Sequence, residues 1–136
     1  MSREAGAGRK EFRPPGTGGT SNAAGERAER EAEAFLRGRG MRILARNFRS
    51  RCGEIDLVAQ DGETVVFVEV RSRSSDAFGS AQETVTAAKR RRIIRTALVY
   101  AQSRGLDAPL RFDVVAISPR GLEHIPGAFD GTGAAS

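Results

Sequence analysis

The sequence predicts an α/β fold, a mixed central sheet flanked by helices, in the order helix, three strands, helix, strand. Three observations carry this. Ala28, Ala32, Phe35 and Leu36 recur at helical spacing ahead of the stop signal Gly38-Arg39-Gly40. Thr64-Val65-Val66-Phe67-Val68-Glu69-Val70-Arg71 is apolar and β-branched enough for a central strand buried on both faces. A long helical stretch from about Ala81 to Arg104, closed by Gly105, separates it from a second such run, Arg111 to Ile117, which stops at Pro119.

Residues 1–24 lack periodicity, and Gly16-Thr17-Gly18-Gly19-Thr20-Ser21-Asn22 cannot bury enough surface to offset its ordering entropy. They are predicted to be a disordered basic arm, ahead of a domain over 25–126 and a flexible tail over 127–136. The first helix starts at Gly25 and carries Glu26, Glu29, Arg30, Glu33 and Arg37 on its polar faces. Residues 41–46 are extended, and Asn47 to Gly53 form a polar, basic connection. In Glu54-Ile55-Asp56-Leu57-Val58-Ala59, Ile55, Leu57 and Ala59 alternate with Glu54, Asp56 and Val58, so one face is apolar and the other begins with two carboxylates. Asp61-Gly62 is a hairpin signal. The second helix takes its apolar stripe from Ile93, Ile94, Ala97, Leu98 and Ala101. Its first half holds Lys89, Arg90, Arg91, Arg92 and Arg95, too many cations for one pairing network. Leu122 to Ile125 add a short edge strand. The first three strands pair antiparallel, and the long helix returns the chain for a parallel fourth.

At 136 residues the chain has room for one domain. A net charge of +5 favours polyanion partners. One cysteine, Cys52, and one histidine, His124, exclude an intrachain disulfide and a Cys/His zinc site, so any metal must be held by oxygens. No run approaches the roughly 18 apolar residues of a membrane span, and the N-terminal residues lack a signal-peptide stretch, so a reducing cytoplasm is expected.

Glu69 is a carboxylate inside a run that reads as buried sheet, where it must sit at an edge, find partners or bind a metal. The strand period places Arg71 on its face, and Asp56 can join from the preceding strand. Two carboxylates and a cation are what Mg²⁺-assisted phosphodiester cleavage requires: hard oxygen ligands and a charge against the phosphate. On spacing alone a Glu69–Arg71 or Asp56–Arg71 ion pair that merely satisfies itself stays open. Glu54 reads as a structural partner of Arg49 or Arg51, Cys52 as an inert loop residue and His124 as a satisfied surface histidine. With Arg46, Arg49 and Arg51, the Lys89–Arg95 run points to a phosphate-tracking surface. Few aromatics make recognition directed at the DNA backbone, rather than base stacking, the better expectation.

Gly53-Glu54-Ile55-Asp56-Leu57-Val58-Ala59, Val66-Phe67-Val68-Glu69-Val70-Arg71-Ser72-Arg73, Phe78-Gly79 with Glu83-Thr84-Val85 and Lys89, and Arg111-Phe112-Asp113-Val114-Val115 occur in order. Over about residues 25–129 the chain resembles the YraN-like family of small bacterial predicted endonucleases. That family resembles the archaeal Holliday junction resolvases and the PD-(D/E)xK restriction-endonuclease-like superfamily. The resemblance implies a restriction-endonuclease-like α-β-β-β-α-β core and a Mg²⁺- or Mn²⁺-dependent endonuclease acting on DNA, with branched or damaged DNA as the expected substrates. It implies Asp56 and Glu69 as metal ligands, helped by the Val70 carbonyl and by Glu29. Lys89 and Glu83 match recurrent polar positions, and a homodimer follows by analogy with the resolvases. The family usually has lysine where this chain has Arg71, and the two are not interchangeable. Lys89 is the candidate substitute if the helix points it inward. The alternative is a non-catalytic nucleic-acid-binding module that keeps the fold.

Overall fold

The computed structural model describes residues 19–72 and 85–129. The elements are α1 (Gly19–Gly38), β1 (Arg42–Ser50), β2 (Gly53–Asp61), β3 (Thr64–Ser72), α2 (Ala87–Ser103), β4 (Leu110–Ser118) and β5 (Gly121–Phe129). The five strands form one sheet in chain order. β1 with β2, β2 with β3, and β4 with β5 pair antiparallel, whereas β3 and β4 run parallel. The parallel step requires a crossover, which α2 provides. The α-β-β-β-α-β order read from the sequence is therefore present. Among the described residues no helix is long and apolar enough to cross a membrane.

Alternation along β3 builds the three layers. Val66 and Val68 face one side with Ala32, Leu36, Leu57, Ala59 and Val115, under α1. Val65 and Phe67 face the other with Ile93, Ala97, Tyr100, Phe112 and Val114, under α2. The central strand is thus covered on both faces, as its composition predicts. Continuing the alternation puts Glu69 and Arg71 on the α2 side.

α1 begins at Gly19, ahead of the Gly25 start read from the sequence, and residues 1–18 lie outside the described residues. Its end is a Schellman turn: the Met41 N–H donates to the Leu36 carbonyl at 3.1 Å and the Gly40 N–H to that of Arg37 at 2.9 Å. Gly40 takes the left-handed conformation this requires, with φ 91°. Met41 then joins Leu36 in the core.

Several expectations need correction. β1 runs through the predicted connection to Ser50, leaving a tight turn at Arg51 and Cys52. In β2, Leu57 and Ala59 pack under α1, whereas Ile55 packs under α2 with Val58, so the alternation breaks at Asp56. α2 begins at Ala87 behind the cap Thr86, whose side chain accepts the Lys89 N–H, while residues 81–84 lie outside the described residues. Its buried face is Ile93, Ile94, Thr96, Ala97 and Tyr100; Leu98 is 48% exposed. Tyr100 displaces Leu98 from the stripe because its ring meets Phe48 and Phe67 edge-on, at 5.1 and 5.8 Å. β5 continues past the expected boundary at 126, since Phe129 is buried and stacked 5.2 Å from Phe112.

One glycine is fixed by a close approach. A Cβ on Gly53 would lie 3.3 Å from Thr96 Oγ1 and 3.5 Å from Arg92 Cβ, at a backbone φ of +153°. Gly53→Ala is expected to destabilise by about 1 kcal/mol or more, read by denaturant titration, because it both strains the backbone and pushes the β1–β2 turn off α2.

Candidate metal and phosphodiester site

The β2–β3 ladder pairs from Asp61↔Thr64 only as far as Leu57↔Val68. The next rung, Asp56 and Glu69, is where the two strands part, while β3 stays paired to β4 through Ser72↔Ile117. In place of a backbone carbonyl, Asp56 Oδ2 accepts the Val70 N–H at 2.8 Å. The Asp56 carboxylate is therefore fixed across the fork, beside Glu69.

Glu69 is 5% exposed. Arg71 Nη1 stands 3.4 Å from its Oε2, and Lys89 Nζ, reaching in from the first turn of α2, stands 3.2 Å from the same oxygen. The expected sharing of a face by Glu69 and Arg71 is present, and the helix does point Lys89 inward. Asp56 has no cation partner among the described residues. Burial above all, then the charge of Glu69, pushes its carboxyl well above the ordinary carboxylate range, against the pull of the Val70 N–H; Glu29 and Glu54 add to the rise. When ionised, the Asp56 carboxylate thus has no cation among the described residues to offset its charge.

Glu29 stays on α1 and accepts from Asn47 Nδ2 at 3.2 Å. Among the described residues no group of three or more His, Cys, Asp or Glu is gathered to hold a metal. The fit is to an ion that takes two carboxylates and keeps most of its waters, as Mg²⁺ commonly does. Val70, whose N–H is committed to Asp56, lies one residue beyond that rung. Glu83 lies outside the described residues.

The cations predicted to track phosphates divide. Arg90 turns in, its Nε donating to the Val85 carbonyl at 3.1 Å and its guanidinium lying 5.7 Å from the Phe129 ring centre. Arg91, Arg92 and Arg95 are exposed on α2, and Arg92 stands against Gly53 in the β1–β2 turn that carries exposed Arg51. Arg49 pairs with Glu54 at 3.5 Å, as expected of a structural glutamate.

A second ionic cluster lies on the α1 side. Asp113 is fully buried and takes Arg111 through both oxygens, at 2.9 and 3.0 Å, with the Gly127 N–H at 3.0 Å and His124 Nε2 at 2.8 Å. Arg111 also reaches Asp61 at 3.1 Å. The reading of His124 as a surface histidine is corrected: its side chain is 6% exposed, because it closes this cluster and meets Phe35 edge-on. Burial raises the Asp113 carboxyl, yet the Arg111 hydrogen bonds, the Gly127 N–H and His124 outweigh it and hold it below the usual range. Every strong partner there is satisfied, so the cluster braces β4 to β5 and β2.

The model of the uncharacterised protein family UPF0102 matches residues 28–117, a span that contains Glu29, Asp56, Glu69, Arg71 and Lys89. The chain belongs to UPF0102. This is the family to which the YraN-like resemblance points. The chain is 50% identical over 124 residues to a UPF0102 protein of Anaeromyxobacter dehalogenans, covering 87% of this chain and 92% of that one. It is 51% identical over 109 residues to one of Hahella chejuensis, covering 77% and 88%, and 47% identical over 116 residues to one of Geotalea uraniireducens, covering 81% and 91%. One residue near the UPF0102 site was not singled out from the sequence: Asn47, which has φ 51° inside β1. Its only sequence signal is an asparagine, the side chain that best tolerates this conformation after glycine, within a strand-like stretch.

Proposed function

We propose that this UPF0102 protein is a Mg²⁺- or Mn²⁺-dependent endonuclease acting on the DNA backbone, with its site at the fork where β2 and β3 part. The observation that carries the reading is the convergence there of Asp56, Glu69 and Lys89 from three elements. The resemblance to Holliday junction resolvases and the PD-(D/E)xK superfamily supports it. Asp56 and Glu69 would hold the ion, with waters filling the rest of its shell; the Val70 carbonyl and Glu29 are the further oxygens the resemblance implies. The bound ion supplies Lewis acidity at the phosphodiester.

The chain's own residues do the rest. The Val70 N–H fixes Asp56, and the acidic surroundings make a cation the natural replacement for a proton on it. Lys89 holds Glu69 and presents a compact ammonium, the group the family usually supplies from the position of Arg71. Arg71 offers a fixed charge to the phosphate. Arg51, Arg91, Arg92 and Arg95 contact backbone phosphates, giving affinity that falls with salt. The described aromatic rings are engaged with one another, with His124 or with arginines, which favours backbone contacts over stacking. The single half-buried Cys52 is compatible with a reducing cytoplasm.

The test is purified protein with Mg²⁺ or Mn²⁺ on linear, flapped and four-way DNA. Divalent-dependent nicking is expected, with Lys89→Ala reducing it by about 10²-fold, the scale of losing one preorganised charge. Arg71→Lys should retain or raise activity. The presence of arginine at 71 favours a second reading, a binding module that keeps the fold; it wins if the wild type binds DNA without cutting and Arg71→Lys gains cleavage. Absence of both cleavage and low-salt DNA binding in both proteins would leave the acidic cluster structural.

A further inference from the structure

In a regular strand, consecutive side chains point to opposite faces. Arg46 and Asn47 break that rule. Arg46 grips Glu33 of α1 through Nε and Nη2 at 2.7 and 2.6 Å, and its neighbour Asn47 donates to Glu29 of the same helix, one turn earlier. Both reach α1 because Asn47 adopts the left-handed conformation, with φ 51°, the one non-glycine residue to do so among those described. This conformation is unfavourable for most L-residues and least so for asparagine and aspartate.

The position of the break matters. β1 and β2 pair Arg46↔Leu57 and Phe48↔Ile55, so Asn47 stands opposite Asp56, and that rung is missing from the ladder. On its other side Asp56 is also beyond the last β2–β3 rung. The sheet is open on both flanks of Asp56, and the left-handed residue accounts for the β1 flank. Glycine would open the ladder equally well but could not bond Glu29. Asparagine does both.

We propose that Asn47 is a positioning residue for the cation site: its backbone opens the β1–β2 ladder opposite Asp56, and its amide ties that opened rung to Glu29 of α1. This rests on the metal-site reading above. Glu29 also lines a cavity of about 120 Å³ between α1 and β1, with Glu26, Glu33 and Arg46 among others.

The test is Mn²⁺ titration by calorimetry on the full chain without nucleic acid, with thermal melts in parallel. Asn47→Gly keeps the backbone conformation and loses the amide, so Mn²⁺ should bind about 10-fold more weakly, the lower end of the usual range for an outer-shell partner, at an unchanged melting midpoint. Asn47→Ala should lose the same affinity and also melt earlier. Glu29→Gln should reproduce the loss, and the Asn47→Gly, Glu29→Gln double variant should add little to either, since each substitution disrupts the contact the two residues share. Asp56→Asn serves as the control that abolishes binding. Wild-type affinity in Asn47→Gly, or additive losses in the double variant, would overturn the role of Asn47 while leaving the site intact. Wild-type protein that shows no Asp56-dependent Mn²⁺ binding would remove the site and this inference together.

Discussion

Asp56→Asn protein is expected to lose divalent-dependent cleavage by about 10²-fold or more while melting no earlier than wild type. The two halves of this result have one cause. The amide oxygen of asparagine can still accept the Val70 N–H, so the link across the fork survives. What disappears is a charge that burial and neighbouring acids make unfavourable. A carboxylate whose folded pKa is raised is penalised above its unfolded value, so the penalty is present at neutral pH and vanishes as pH falls. The neutral isostere removes it at every pH. Without metal, Asp56→Asn should therefore match or exceed the wild-type midpoint at pH 7, and the difference should close in acid. DNA binding in low salt should persist, because Arg51, Arg91, Arg92 and Arg95 are untouched. A protein that unfolds on this substitution would make Asp56 a structural residue and end the nuclease reading.

Arg111→Ala is expected to cost about 3 kcal/mol at pH 7, at the lower end for breaking a buried ion pair. The cost stays at that lower end because the Gly127 N–H and His124 still reach Asp113. The pH dependence carries the sharper signature. Asp113 is held below its ordinary range, so its contribution is complete above the unfolded value of about 4 and is lost as pH drops through the lower folded value. Removing Arg111 should flatten that acid loss, and guanidinium titrations at pH 7 and pH 3 would read it. A loss under about 1 kcal/mol at pH 7 with the acid slope intact would show that the cluster does not brace the strands. The contrast between the two acids is instructive. Asp113 is fully buried and fully paired, whereas Asp56 is desolvated without a cation and beside other acids, and perturbation of that second kind is the more typical mark of a functional site.

The local signals read from the sequence held where one element decides the outcome. The central strand, the stop at Gly40, the Asp61-Gly62 hairpin and the element order follow from periodicity and from residues with a single conformational use. Glu69 stood out because a carboxylate in a buried strand needs a partner, and Arg71 followed from the period of two. Other features required the whole fold, because they depend on pairing between distant segments. Whether Lys89 faces Glu69 or solvent is set by how α2 seats on the sheet, where Gly53 from the distant β1–β2 turn lets Thr96 approach closely. The choice of Tyr100 over Leu98 was made by the rings of Phe48 and Phe67. His124 is buried because β5 pairs with β4 and carries it to Asp113. The fork at Asp56 arises where the β1–β2 and β2–β3 ladders both lapse at one rung. Composition and period determine which face a residue offers; ladder register and helix seating, which are sums of long-range contacts, decide what that face meets.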